Sequence, residues 1–437
     1  MSLKTPESIR NFQKKLYLKA KAEPDYRFYL LYDKIYREDV LLHAYRLAKA
    51  NGGAPGVDGK TFAMIETEGI EAWLAGLREE LRSKTYQPQP VRRVMIPKPG
   101  GGERPLGIPT IRDRVVQTAT KLVIEPIVEA DLEPNTYGYR PKRRAQDAVQ
   151  KVHELLCEGY TEVVDADLSR YFDTIPHREL MKCVARRIVD RNILHLIKQW
   201  LKTPVEERNG NGTRRMSGGR KSSCGVPQGG VISPLLANLY INRFLKHWRI
   251  TERGKAFRAK VISYADDFVI LSRGKAEQAR AWTRAVMQRL GLNLNEGKTV
   301  IRNARRECFD FLGYTFGNMW FNKNGTRYMG AQPSRVSVAR LKEKVRELLQ
   351  PREKGTWAEV CKRLNALLRG WSAYFSHGTT QIAYRAVERS VYERVRKFLV
   401  QRHRVSSRGI QRFPAERVFG ELGVFLPRPL RASRREL

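Results

Sequence analysis

Acidic residues are scarce in this chain. Its 437 residues include 45 Asp and Glu against 82 Lys and Arg, a formal charge of +37 at pH 7. A small domain needs a net charge of only about 2–8 for solubility, and here the surplus runs along the whole sequence. The composition therefore expects a polyanionic partner, nucleic acid first. Long apolar runs are also missing: no stretch reaches the roughly 18 residues that would cross a bilayer. Met1-Ser2-Leu3-Lys4-Thr5 opens no apolar signal core. These absences set aside the membrane reading of the charge. The five cysteines, Cys157, Cys183, Cys224, Cys308 and Cys361, form no C-x-x-C pair. That removes a zinc ribbon and an obvious disulfide framework, and reduced intracellular thiols are expected.

What is present suffices for a folded protein. With 41% apolar residues, the chain can build two or three compact units around one large core region. Residues 1 to about 90 read as basic helices. Val40, Leu41, Ala44, Leu47 and Ala48 form one helical stripe that Asn51-Gly52-Gly53 stops. Val91 to Ile96 reads as a strand entering the turn Pro97-Lys98-Pro99-Gly100-Gly101-Gly102. Strand and helix patterns then alternate from Tyr160 to Ile270, with Val163, Asp165 and Asp167 on one strand face by the two-residue period. Asn209-Gly210-Asn211-Gly212 opens a turn-rich basic insertion, and Ser233-Pro234 reads as the cap and first turn of a helix to about Lys246. Val261 to Leu271 reads as a hairpin with a polar tip.

After Pro333-Ser334 the pattern is helical only. Val338, Leu341, Val345 and Leu348 point inward from one helix. A second begins at the capping box Thr356-x-x-Glu359 and buries Val360, Leu364, Leu367, Leu368 and Trp371. A third, near Ile382 to Val400, leaves Arg385, Arg389, Arg394, Arg396 and Lys397 for phosphate, completing a small bundle. From Gln401 to Leu437 nine arginines face three glutamates, a composition expected to be disordered or ordered on nucleic acid.

The chemistry concentrates at Tyr264-Ala265-Asp266-Asp267. Two adjacent carboxylates at a hairpin tip repel each other unless a cation lies between them. Asp167 ends a strand upstream, in Asp-Leu-Ser-Arg-Tyr-Phe-Asp with Phe172 and Asp173. Three carboxylates from neighbouring strands can hold two Mg2+ ions roughly 3.5–4 Å apart, an arrangement suited to in-line phosphoryl transfer.

These motifs, with others in the same order, resemble the reverse transcriptase and maturase proteins of bacterial group II introns. The resemblance runs from about Phe28 to about Gly423. It begins with Gly52-Gly53-Ala54-Pro55-Gly56-Val57-Asp58-Gly59, Ile96-Pro97-Lys98-Pro99, Arg104-Pro105-Leu106-Gly107-Ile108-Pro109 and Tyr137-Gly138-Tyr139-Arg140-Pro141. After the Asp167 motif come Pro227-Gln228-Gly229-Gly230, Ser233-Pro234-Leu235-Leu236-Ala237-Asn238 and the Tyr264 motif. Phe311-Leu312-Gly313-Tyr314 and Leu368-Arg369-Gly370-Trp371-x-x-Tyr374-Phe375 complete the set.

The resemblance implies an α+β right-hand polymerase: a basic helical extension over 1–59, fingers and palm over 60–330, a helical thumb and maturase segment over 331–425, and a basic tail over 426–437. It implies that Asp167, Asp266, Asp267 and the Leu168 carbonyl hold two Mg2+ ions, with Asp165 as a rival for Asp167. Lys98 and Arg140 would contact the incoming triphosphate, Phe172 would lie under the incoming sugar, and Gln228 would border the nucleotide. Lys298 would protonate pyrophosphate. Gly229 would let backbone approach the template, and Phe311, Leu312 and Gly313 would hold the primer end. The implied partners are intron RNA, an RNA template with a DNA primer, target DNA and dNTPs, with no membrane; the oligomeric state is left open. The implied place is the bacterial cytoplasm, at the nucleoid when acting on DNA.

Two other functions share parts of this pattern. One is an RNA-binding splicing cofactor with a vestigial polymerase site; the other is a reverse transcriptase adopted for defence or another host task. Intact adjacent acids favour the polymerase over the first, and the maturase-type helices argue against the second. The chain ends without a Cys/His cluster of the kind a C-terminal nuclease uses, so self-made cleavage of the second DNA strand is not expected.

Overall fold

The computed structural model describes residues 3–97, 102–208, 214–320 and 325–429. The strands among them are β1 (Val91–Pro97), β2 (Glu103–Ile108), β3 (Glu162–Asp167), β4 (Pro204–Arg208), β5 (Arg214–Gly218), β6 (Ala259–Tyr264), β7 (Asp267–Ser272), β8 (Val300–Asn303), β9 (Phe309–Phe311), β10 (Tyr314–Trp320) and β11 (Arg327–Pro333). They form three sheets, ordered β2-β1-β4-β5, β6-β7-β3-β8 and β11-β10-β9. With helices at both ends of the chain, the α+β architecture expected from the sequence is present. No helix among the described residues is long and apolar enough to cross a membrane.

The β6-β7-β3-β8 sheet carries the acids, and it is apolar on both faces. Val164, Ala166, Phe268 and Ile270 enter one core cluster, while Val163, Ile262, Val269 and Leu271 enter a second. Burying each such side chain contributes about 1.5–3 kcal/mol, so the sheet is clamped between two cores. The first cluster takes in Ile9, Ala20, Val40 and Leu41 from the N-terminal helices and Val115 to Ile127 from the long helix Ile111–Asp131. The second takes in Phe309 and Phe316 of the three-stranded sheet, and the C-terminal helices Arg335–Leu348, Trp357–Tyr374 and Gln381–Arg402. Asp165 and Asp167, two and four residues beyond Val163, share its face, which is turned toward the second cluster.

Several local expectations hold. Helix Glu38–Asn51 buries Val40, Leu41, Ala44 and Ala48, and stops where Gly52 turns to φ 63°. The capping box closes both ways: Glu359 N–H donates to Thr356 Oγ1 at 3.4 Å and Thr356 N–H to Glu359 Oε2 at 2.8 Å. Three expectations need correction. Ser233 is the first residue of helix Ser233–Ile250 rather than its cap, because Ile232 before it already takes helical angles, φ −84° and ψ −16°, and occupies the cap position. On helix Arg335–Leu348 Val338 and Leu348 are only half-buried, beside the buried Leu341 and Val345. Finally, residues 403–429, expected to be disordered or ordered on nucleic acid, fold onto the bundle: Phe413, Val418 and Val424 are buried, and Phe425 N–H donates to Asn365 Oδ1. The arginine count had masked those apolar anchors. The turn at Lys98, the Asn209–Gly212 insertion and the last eight residues lie outside the described residues.

Candidate active site

The hairpin β6–β7 closes through a two-residue turn, since Tyr264 pairs with Asp267 across it. Ala265 takes φ 58°, a left-handed conformation that disfavours a residue with a β-carbon, and it is buried. A neighbouring segment holds it there. Thr136 bridges to Ser263 in parallel, Tyr137 N–H donates to Ser263 O at 2.8 Å, and Ser263 N–H donates to Asn135 O at 3.0 Å. Gly138 then passes so close that a β-carbon on it would lie 2.4 Å from Ala265 N. Asn238 Nδ2 pins the loop from the other side, donating to Gly138 O at 2.6 Å.

The strand register sets Asp167 of β3 directly opposite Asp267 of β7, and Asp266 occupies the turn. Asn295 Nδ2 donates to Asp167 Oδ2 at 3.1 Å, and Lys298 Nζ stands 3.4 Å from the same oxygen. Backbone bonds fasten the far side: Ser169 N–H to Asn293 O at 2.9 Å and Asn295 N–H to Asp167 O at 2.8 Å, with Leu168 buried between them. Crowding raises the Asp267 carboxyl to about 6, through burial in the cleft and then through Asp266, Asp167 and Asp165, with Lys298 opposing. Burial, Asp167 and Asp310 likewise push Asp165 up to about 6 against Arg302. Among the described residues no three His, Cys, Asp or Glu side chains are already arranged to hold a metal ion. The donor set nevertheless suits hard cations: carboxylate oxygens facing one another with a single lysine for countercharge.

A second group of motif residues joins β2 to the segment after β3. Arg104 Nε donates to Gln228 Oε1 at 3.0 Å, Gln228 Nε2 to Asp173 Oδ1 at 3.4 Å, and Gly107 N–H to Gln228 O at 2.6 Å. Gly229 adopts φ 109°, and a β-carbon there would fall 2.1 Å from Gly107 O, so only glycine fits. Phe172, on the short helix Tyr171–Thr174, is buried edge-on against Tyr171, and its carbonyl accepts from Val226 N–H at 2.7 Å. Phe172, Asp173 and Gln228 are thus tied into one unit next to the acids.

Arg140 is a correction. Its guanidinium is buried, forks onto Glu129 and donates to Glu133 O at 2.8 Å and Thr136 O at 2.9 Å. No donor face is left toward the cleft, so it holds the loop leading to Gly138 and is not placed to meet a triphosphate. Phe311, Leu312 and Gly313 form a tight turn between β9 and β10, with φ 50° at Leu312 and 77° at Gly313. Tyr374 Oη donates to Leu312 O at 2.9 Å, and Ser337 Oγ to Gly313 O at 2.9 Å. The turn thereby borders an open groove of about 550 Å3 whose other walls are Arg340, Lys344 and Gly370 of the C-terminal helices.

The five basic residues of helix Gln381–Arg402 do not share a face. At about 100° per residue, Arg385, Arg389 and Arg396 lie within about 40° of one another, while Arg394 lies about 180° from Arg385. Arg385, Arg389 and Lys397 are exposed, whereas Arg394 and Arg396 are half-buried.

Sequence reasoning assigned no role to Tyr139 or Asn295. Tyr139 is exposed at φ 56° beside Gly138, and the charges that bear most on its phenol are Asp266 and Arg104. Its position between a glycine and a structural arginine was the available hint. Asn295 opens the Asn-Glu-Gly-Lys turn, a residue type that hydrogen-bonds locally in turns, yet its grip on Asp167 spans 128 residues.

Comparison with known proteins agrees with this geometry. Residues 96–316 match the family described as reverse transcriptase (RNA-dependent DNA polymerase), and residues 338–413 match the group II intron maturase-specific domain. The chain is 37% identical over 343 residues to protein YkfC of Escherichia coli, covering 70% of this chain and 87% of that protein. It is 28% identical over 352 residues to the group II intron-encoded protein LtrA of Lactococcus lactis, covering 66% and 56%. A Saccharomyces cerevisiae protein described as a putative COX1/OXI3 intron 1 protein is 27% identical over 329 residues. The chain spans only 38% of that yeast protein's length.

Proposed function

We propose that this chain, which belongs to the reverse transcriptases carrying a group II intron maturase-specific domain, copies intron RNA into DNA for retrohoming and binds the same intron RNA to assist its splicing. The observation that carries the polymerase reading is the register of Asp167 against Asp267 with Asp266 in the adjoining turn. Two Mg2+ ions held by these carboxylates and the Leu168 carbonyl would activate the primer hydroxyl and offset triphosphate charge.

The chain's own residues would do the rest. Asn295 and Lys298 orient Asp167, and Lys298 would protonate departing pyrophosphate. Gln228, held by Arg104 and Asp173, would border the nucleotide, and Phe172 would lie under the incoming sugar and bar a 2′-hydroxyl. Gly229 lets template backbone close on the fingers. The turn at Phe311, Leu312 and Gly313 supports the primer end, with the adjoining groove of the C-terminal helices taking the duplex. dNTPs and target DNA complete the partners, and a bacterial cytoplasm, at the nucleoid during insertion, is the proposed place of action. Mg2+-dependent extension of a DNA primer on an RNA template by the purified full chain tests this reading.

A further inference from the structure

Away from the acids, helices His177–Ala185 and Arg191–Leu201 and the segment 220–223 enclose an open groove of about 640 Å3. Its floor is aliphatic: Met181, Ala185, Leu194 and Leu201. Met181 and Leu194 pack against the core, yet they and Ala185 are only half-buried. Its rim is cationic throughout. Arg178, Lys198, Lys202, Arg220 and Lys221 form no ion pair among the described residues, and only Lys182 is matched, by Glu179 at 2.7 Å. No acidic side chain lines the groove.

We propose that this groove docks an acidic amphipathic helix of a partner protein, its leucine-like anchors in the aliphatic floor and its carboxylates on the rim. Charge complementarity fixes the sign of the partner, because an unmatched ring of cations around a desolvating floor selects carboxylates and disfavours basic segments. The floor fixes its class. Nucleic acid held without a folded shape gains its contacts from phosphates and from base stacking on aromatic faces, and the floor has no Phe, Tyr or Trp. Four aliphatic side chains between two helices instead form the kind of cleft that receives anchors at i, i+3, i+4 and i+7. The groove also abuts the catalytic loop: His177 N–H donates to Ser223 O at 2.9 Å, His177 Nε2 donates to Gly225 O at 2.6 Å, and Gln228 follows three residues later.

The test uses the full chain and a fluorescent peptide with leucines at i, i+3, i+4 and i+7 and Glu elsewhere. A scrambled peptide of the same composition and a single-stranded RNA serve as comparison probes, all followed by anisotropy across a salt series. The patterned peptide should bind about tenfold or more tightly than the scrambled one. Met181→Gln with Leu194→Gln should remove that preference while leaving scrambled-peptide and RNA affinities unchanged. Arg178→Glu with Lys198→Glu, a surface pair that should leave the fold intact, should weaken the patterned peptide by a similar factor. Equal affinity for both peptides, or an unchanged preference in the floor variant, would overturn the proposal. So would a rim variant that loses RNA affinity while keeping the peptide, because the rim would then serve nucleic acid.

Discussion

Gly138 and Ala265 are in contact across two separate motifs, with room for no β-carbon between them: one added to Gly138 would stand 2.4 Å from the Ala265 nitrogen. The loop that carries Gly138 is therefore a mould for the turn that carries Asp266. Gly138→Ala must move either the loop or the hairpin tip. Primer extension should fall by about tenfold or more, as expected when a reacting group is displaced by about 1 Å. RNA affinity should stay within about twofold, because no cation is touched. Full extension by the variant would show that the contact is not a constraint.

Arg140 and Glu129 form a buried fork. Removing either partner leaves an uncompensated buried charge, at about 3–5 kcal/mol. Arg140→Gln and Glu129→Gln should therefore lower the melting temperature alike, and in the folded fraction the KM for dNTP should stay near its original value. A selective rise in KM for Arg140→Gln alone would restore the triphosphate role.

The acids and their cores were legible because β7, buried on both faces, reads as a near-continuous apolar run, and because Asp167 and Asp267 stand at strand ends with Asp266 in the adjoining turn. What escaped depended on partners far along the chain. Glu129, on the preceding helix, decides what Arg140 does, and Ile232, already at helical angles, starts the helix one residue earlier than the Ser233-Pro234 pair suggested. The C-terminal segment read as disordered or ordered on nucleic acid by composition, yet Val418 and Val424 pack into the second core.

Asp267 carries a destabilising charge. Burial and three neighbouring carboxylates raise its carboxyl to about 6, so ionisation opposes folding as pH rises from the ordinary carboxylate range through that value, and the loss is complete at neutral pH. Asp267→Asn should stabilise the metal-free protein at pH 7 by up to about 1 kcal/mol, since the exposed side of the group lets solvent screen the repulsion. Thermal unfolding with and without Mg2+ measures this. Mg2+ should raise the melting temperature of the original chain more than that of the variant. An equal Mg2+ effect in both would mean that Asp267 does not meet the cation.

On helix Gln381–Arg402 the aligned stripe, and not the count of arginines, should govern RNA binding. Replacing Arg385, Arg389 and Arg396 together by Gln should weaken intron RNA binding by about tenfold and reduce the salt slope by about 2, with slower splicing. Arg394→Gln should change affinity by less than about twofold. Equal effects from the single and triple variants would contradict the stripe.

The central claim is that Asp167, Asp266 and Asp267 make this chain an RNA-directed DNA polymerase, with RNA binding carried by other residues. The most direct measurement compares the original chain with Asp266→Ala/Asp267→Ala in two assays on the same preparations: Mg2+-dependent extension of a DNA primer on an RNA template, and intron RNA affinity. The account predicts extension by the original chain, none by the double variant, and RNA affinity equal within about twofold. Extension by the double variant at the original rate would contradict it.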